Sequence, residues 1–376
     1  MVPMRIGVML RAFDESGGIA VYARNLVEEL LKIDGHNTYV LYYRNARHTG
    51  RSRTCPNVEE HVVDAPNKAI WDQIAIPYRC WRDRLDVILH PKFTVPLLAP
   101  CKAVMVVHGA DWFMPDQAVF YGKWDVRYAK LAMPLYFKKS ATVISVSQLT
   151  SDNFYNVLKL PDGKIKTVYF GPAGHFERVT DPNRLHQIRT KYGLPEKFIL
   201  TLTKRGGGER KNLGQLLESY KRYHRDTEAP HRLVIGGKDC HLFREEYGIP
   251  EDGYGRDVLF PGWIDQSDLP TVYSLADLFF YPSNLEAFPI PLTEAMACGT
   301  PIVTSDANGL REIAGDAARF VDPQSDDDMA EALKSVLSDK NYSDTLAARG
   351  LARADRFRWD RCAKETLTVL ENLKPA

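Results

Sequence analysis

The sequence predicts an α/β protein built from two doubly wound parallel sheets. Short apolar runs rich in Val and Ile alternate with longer segments of helical period, and this alternation occurs twice along the chain. At 376 residues the chain exceeds one ordinary hydrophobic core and suits two.

In the first half, strands are expected at RIGVML, TYVLYY, DVILH, KAVMVVH and TVISVS. A helix over residues 19–32 places Ala23, Leu26, Val27, Leu30 and Leu31 on one face, a stripe suited to packing on a sheet. The second half offers strands at FILTLT, RLVIGG, VLFPG, LFFYPS, PIVTS and ARFVD. Helical spacing appears over 213–225, 268–276, 292–298 and 327–337. Between the halves, residues 171–195 contain GPAGHF and DPN and hold no sustained period, so the linker is expected there. The domains expected are 1–175 and 176–356, followed by an amphipathic segment, 357–376, that suits packing on either domain, a return to the first being one option.

Hydrophobic residues make up 44% and charged residues 26%, as in an ordinary globular protein. Lys and Arg number 49 against 48 acids, so no global basic field exists to hold nucleic acid, and any anionic ligand must be met locally. The six cysteines form no C-x-x-C pair and no metal-ligand spacing, which points to a reducing compartment and no metal. The first apolar run is ended by Arg11 and Asp14 and reads as a strand rather than a leader. No uncharged apolar run approaches the ~18 residues of a membrane span. A cytoplasmic protein is expected.

Doubly wound sheets bind ligands where strands run into helix N-termini, and three such junctions are informative. In FDESGGIAVYARNL, Gly17 and Gly18 permit positive φ and close backbone approach before a helix. In TKRGGGERKN, Arg205 and Lys211 flank a three-glycine loop and suit one pyrophosphate, or else form a solvated basic loop. Neither G-x-G-x-x-G nor G-x-x-x-x-G-K-[ST] is present, which counts against a dehydrogenase and an ATPase. In NLEAFPIPLTEAMACGTPIVTS, Glu286 lies in a loop, Pro291 reads as the first helical position and Glu294 falls in the first turn. Two carboxylates beside a helix start suit vicinal sugar hydroxyls, and the N–H groups of Phe288, Ile290 and Leu292 suit phosphate. The bland alternative is a carboxylate that favours the helix dipole and a solvated loop acid.

These motifs resemble the retaining glycosyltransferases of family 4, which have the GT-B fold. The E-x7-E element from Glu286 to Glu294, followed by AMACGTPIV, carries the resemblance most specifically. GGIAVYARNL, VVH, ISVSQLT, KRGGGERKN, GWIDQSDLPTVYSLADLFFYPS and ANGLREIAGDAARFVDP extend it over nearly the whole chain.

The resemblance implies two Rossmann-like domains facing a central cleft, and transfer of a hexosyl unit from a UDP- or GDP-linked sugar to a saccharide or lipid-linked acceptor. GLREIAGDAARFVDP leans towards mannosyl transfer. By the same resemblance Glu286 binds the donor sugar and Glu294 the ribose, while Arg205 and Lys211 neutralise the diphosphate. Gly17 and Gly18 approach the donor, Ile264 contacts the base through its backbone, and Phe288, Pro289 and Ile290 line the donor loop. His108, which alone reads equally as a structural strand-end residue, lines the catalytic cleft. Retention by front-side attack needs neither metal nor other cofactor.

The chain departs from the family where Ala287 and Pro289 stand in a loop that is often glycine-rich, and where Gly109 follows His108. A nucleotide-sugar-binding protein without transfer activity is the alternative reading. The segment YGKWDVRYAKLAMPLYFKKS sets Trp124, Tyr128, Leu131 and Leu135 among lysines and arginines. It reads as a helix packed on its own sheet and kinked by Pro134, with peripheral membrane contact as the other possibility.

Overall fold

The computed structural model describes residues 3–15, 17–50, 55–172, 175–203, 210–227, 231–307 and 309–374. It divides into two compact units, Met1–Phe170 with Trp359–Ala376, and Gly171–Arg358.

Among the described residues the first unit holds seven parallel strands: β1 (Arg5–Met9), β2 (Thr38–Tyr43), β3 (Val58–Val62), β4 (Val87–His90), β5 (Lys102–Val107), β6 (Thr142–Ser145) and β7 (Ile165–Thr167). Their order is β3-β2-β1-β4-β5-β6-β7, so the winding reverses between β1 and β4. The five expected strands form its centre, where helices on both faces require the continuous apolar runs that the sequence displays. β3 and β7 are the two edges. VEEHV is half-exposed and charged, and IKT is three residues long, so neither carries an apolar signal.

Helix α1 (Gly18–Ile33) buries Ala23, Leu26, Val27 and Leu30 of its expected stripe, and Leu31 is half-buried at its margin. Gly17 caps it at φ +108°, a conformation only glycine adopts readily; the space around it is open, so backbone freedom rather than crowding fixes the residue. Helix α2 (Ile76–Arg82), α3 (Lys123–Lys139) and α4 (Gln148–Leu158) follow. The C-terminal stretch forms a helix in this unit: Trp359 lies 5.0 Å from Phe170 and 5.5 Å from Tyr22 of α1, ring centre to ring centre.

The second unit holds β8 (Phe198–Leu202), β9 (Arg232–Gly236), β10 (Val258–Gly262), β11 (Leu278–Tyr281), β12 (Ile302–Ser305) and β13 (Arg319–Val321). All pair in parallel in the order β10-β9-β8-β11-β12-β13, which reverses between β8 and β11. Its longer helices are α5 (Pro182–Tyr192), α6 (Leu213–Asp226), α7 (Leu269–Leu275), α8 (Ile290–Ala297), α9 (Gly309–Ala314), α10 (Asp326–Ser338) and α11 (Lys340–Ala354). The C-terminal helix of the first unit is α12 (Trp359–Glu371).

Helix α5 corrects the expectation of an aperiodic linker over 171–195. Asp181 caps it by accepting from the Asn183 N–H, Pro182 occupies its start, and Gly193 closes it at φ +61°. Only Ile188 is buried, so no apolar stripe marks it in the sequence.

Candidate functional site

In a doubly wound sheet the carboxyl ends of the two strands at the reversal diverge and leave a crevice, the usual place for a ligand. In the second unit that place lies between β8 and β11. Lys211 follows β8 and Glu286 follows β11, so residues 75 apart in sequence arrive at one mouth.

Asn212 takes a left-handed turn at φ +59°, a conformation Asn tolerates, and its side chain donates to the Pro323 carbonyl at 2.7 Å. This anchors the entry to α6 and presents Lys211, whose Nζ donates to both Glu286 Oε1 and the Tyr281 hydroxyl. Glu286 Oε1 also accepts from the Tyr281 hydroxyl at 2.9 Å and from Ser283 Oγ at 3.1 Å. Arg210 Nη1 stands 3.7 Å from Oε2 and donates to the Leu285 carbonyl at 3.2 Å.

Glu286 is almost wholly buried. Burial alone would raise its carboxyl, but the charges of Lys211 and Arg210, with hydrogen bonds from Lys211 and Tyr281, hold it below its ordinary value. The same burial and the Glu286 charge push the Tyr281 hydroxyl far up, so it stays a proton donor. The loop therefore presents a fixed carboxylate with cations beside it.

The Glu286 loop turns without a positive φ at Ala287, so alanine is accommodated. It is pinned from α9, where the Gly309 N–H donates to the Glu286 carbonyl at 2.9 Å. A Cβ at Gly309 would meet the Ala287 and Glu286 carbonyl oxygens at 2.7 and 2.8 Å, backbone atoms that cannot yield by rotating. Gly309→Ala is accordingly expected to cost ~1–3 kcal/mol through overpacking. Thermal denaturation checks this, and an unchanged melting temperature would show that the loop is not held there.

Helix α8 begins at Ile290, one residue before the expected start, and Pro291 is its second residue. Glu294 is then the fifth helical residue rather than part of the first turn. Pro289 supplies the cap carbonyl that sets this register, accepting from Leu292 N–H at 3.0 Å and Thr293 N–H at 3.4 Å. The Ile290 N–H is occupied as well, donating to the Phe288 carbonyl at 3.1 Å. Two of the three N–H groups expected to be open for phosphate thus have backbone partners. Phe288 packs its ring edge-on to Phe357 at 5.9 Å.

Glu294 is buried and accepts from the Tyr273 hydroxyl at 3.0 Å through Oε2. Burial raises its carboxyl to about 7, against hydrogen bonds from Tyr273 and Gln266. The two glutamates of the E-x7-E element are therefore opposites: Glu286 is held as a carboxylate, Glu294 titrates near neutrality. Ile264, beyond β10, packs its side chain over Gly236 at the end of β9, where a Cβ would sit 2.8 Å from Ile264 Cδ1.

His108 belongs to the first unit, at the end of β5. Its Nε2 lies 3.1 Å from the Pro91 carbonyl, an acceptor only, so Nε2 carries the proton and Nδ1 is left as acceptor. Tyr22 of α1 and Phe93 meet the ring edge-on at 4.8 and 5.7 Å. Burial lowers the imidazole to about 4, and Lys92 adds to the effect. His108 is neutral throughout the physiological range.

Nearby, Arg11 and Asp72 form a buried bidentate pair at 3.0 Å, to which Thr94 Oγ1 adds a bond at 2.8 Å. The sequence reading missed this pair, because its partners stand 61 residues apart with no motif around either. It missed Tyr281 and Tyr273 because tyrosines in apolar runs read as core, and Arg210 and Ser283 because their partner Glu286 or its loop is met only in the fold. Arg205 lies outside the described residues.

The sequence pattern of glycosyl transferases group 1 matches residues 186–353, and that of glycosyltransferase family 4 matches residues 16–171. The chain belongs to the family 4 glycosyltransferases. The O-antigen chain mannosyltransferase B of Escherichia coli is 27% identical to this transferase over 301 residues, 78% of this chain and 76% of that one. The serotype-specific mannosyltransferase WbdA of Escherichia coli is 24% identical over 231 residues, 59% of this chain but only 28% of that longer protein.

Among solved structures, Anabaena HepE in complex with UDP-glucose superposes with a TM-score of 0.74 at 18% identity, covering 98% of this transferase and all of that chain. The fold of the transferase is GT-B, two Rossmann-like parallel-sheet domains. Among the described residues no helix is long and apolar enough to cross a membrane.

Proposed function

We propose that this hexosyltransferase takes a mannosyl unit from a nucleotide-sugar, GDP-linked in preference to UDP-linked, and passes it with retention to a saccharide or lipid-linked acceptor, without a metal. The observation that carries the reading is the Lys211–Glu286 pair at the strand-order reversal of the second sheet. A cation and a held carboxylate, side by side in a buried place, suit the two ends of a sugar diphosphate.

In this reading Glu286 accepts from hydroxyls of the donor sugar, and Lys211 with Arg205 meets the diphosphate charge that grows as the glycosidic bond breaks. Arg210 adds to the same field. Glu294 accepts from the ribose. The backbone around Ile264 meets the base. Gly17, Gly18 and the neutral His108 serve from the first unit. Mannosyl transfer is favoured by the mannosyltransferase relatives.

The test is a thermal-shift panel of GDP-mannose, UDP-glucose and related donors. A true donor at a hundred times its dissociation constant adds ~2.7 kcal/mol of stability. Hydrolysis of that donor is then followed with and without EDTA, and the anomer of the transfer product is read by NMR. Stabilisation by GDP-mannose, EDTA-resistant hydrolysis and an α-linked product are expected. No shift with any nucleotide-sugar would overturn the proposal, and loss of activity in EDTA would overturn its metal-free part.

A further inference from the structure

We propose that one face of the first unit docks on an anionic lipid surface. Two helical segments, residues 68–82 and α3, send one side each into the same apolar core: Trp71, Ile76 and Cys80 from the first, Met133, Tyr136 and Phe137 from the second. Their opposite sides therefore point outward on the same side of the sheet. The loop between β4 and β5 ties them together. Gln73 exchanges hydrogen bonds of 3.0 Å with the backbone of Val95 and Leu97, and Lys139 donates to the Ala99 carbonyl at 2.7 Å.

What these segments turn outward is apolar. Ile74, Tyr78 and Trp81 follow one another at i, i+4 and i+7 on the first. Trp124, Tyr128, Leu131 and Leu135 form a longer stripe on α3. Leu98, on the connecting loop, is 80% exposed, as is Trp124. With Val119 and Phe120 just before α3, these segments and the loops joined to them carry ten of the fifteen exposed large apolar side chains among the described residues. The helix packs on its sheet as expected, yet the stripe seen in the sequence is not the side that packs.

The charge pattern selects the occupant. Lys123, Arg127, Lys130 and Lys138 are exposed beside the α3 stripe, and Asp125 is the acid that accompanies them on this helix. A protein interface is depleted of lysine at its centre. Tryptophan and tyrosine between aliphatic side chains and lysines are instead what a helix lying in a bilayer interface presents: rings at headgroup depth, amines on lipid phosphates. Docking of this kind requires no donor, so it stands apart from the proposed reaction.

The experiment is sedimentation of the full-length protein with phosphatidylcholine vesicles, neutral or with about one-third phosphatidylglycerol, at low salt where surface charges are least screened. Binding to the anionic vesicles is expected to exceed that to neutral ones at least about tenfold. The pair Trp124→Glu and Leu131→Glu should reduce it by a similar factor. The pair Lys130→Glu and Lys138→Glu should remove its salt dependence. All four sites are exposed, so melting temperature and donor hydrolysis should not change. The proposal is overturned if the wild-type protein stays in the supernatant with anionic vesicles, or if Trp124→Glu/Leu131→Glu binds them equally well. It is also overturned if light scattering shows a dimer that this variant dissociates and no lipid binding, since the face would then join two copies of the chain.

Discussion

Replacing Lys211 by methionine is expected to lower the rate of sugar transfer at least about a hundredfold and to destabilise the protein by ~3–5 kcal/mol. The first effect follows, on the proposed reading, from removing a cation that meets the diphosphate as the bond breaks. The second follows from what is left behind. Glu286 is held as a carboxylate in a buried place because Lys211 and Arg210 outweigh the cost of burial. Without Lys211 its near partners are the Tyr281 and Ser283 hydroxyls, with Arg210 at 3.7 Å, too far for a hydrogen bond. The carboxyl should then move above its ordinary value.

This reverses a pH dependence. A carboxyl depressed by folding adds stability above its unfolded value, and that stability is lost as pH falls through the folded value. In Lys211→Met the folded value is raised, so stability should instead decline as pH rises from about 4.5. A second substitution separates the two effects: Lys211→Met/Glu286→Gln should recover most of the stability and none of the rate. Chemical denaturation at several pH values, with turnover measured alongside, checks both. If the double variant is as unstable as the single one, the cause is lost packing rather than an uncompensated charge. If Lys211→Met turns over normally, the cation has no part in the reaction.

The site shows what a sequence reveals and what it withholds. Central strands such as Phe198–Leu202 and Leu278–Tyr281 are legible because both of their faces are covered, which demands unbroken apolar runs. The edges Val58–Val62 and Ile165–Thr167 are not, since solvent removes that demand. Glu286 and Glu294 are visible as acids spaced around a helix start, and Lys211 as a cation beside glycines.

Their pairing is not visible, because β8 and β11 become neighbours only through the reversal of strand order. The same holds for Tyr281. A tyrosine ending the run LFFY reads as core, and so its ring is, while its hydroxyl completes the Glu286 shell. Helix α8 starts one residue early because a proline carbonyl, not a side chain, caps it. Local patterns thus fix which elements form and which residues stand at their ends, but the partners of a charged group are set by topology.

With Glu294 accepting from the donor's ribose as proposed, donor affinity is expected to rise about tenfold between pH 6 and pH 8. Its carboxyl lies near 7, so roughly a tenth is ionised at the lower pH and roughly nine-tenths at the higher. Only the carboxylate accepts from both hydroxyls of a ribose. Its two oxygens offer about four lone-pair directions, of which Tyr273 and Gln266 take two. Protonation turns one of the remaining directions into a donor.

The unliganded protein should show the opposite trend. A carboxyl raised by folding contributes most below its unfolded value, so stability should fall as pH climbs from about 4.5 to 7, by ~3 kcal/mol at most. Nucleotide-sugars suit the measurement because their diphosphate, esterified at both ends, does not titrate in this window. His108, lowered to about 4, does not titrate there either. Calorimetric titrations across the range, repeated with Glu294→Gln, decide the matter. The variant should bind weakly at every pH with a flat profile. A wild-type profile that is equally flat would mean that Glu294 meets the ligand in one protonation state throughout, and that the cost of burying its charge plays no part in donor binding.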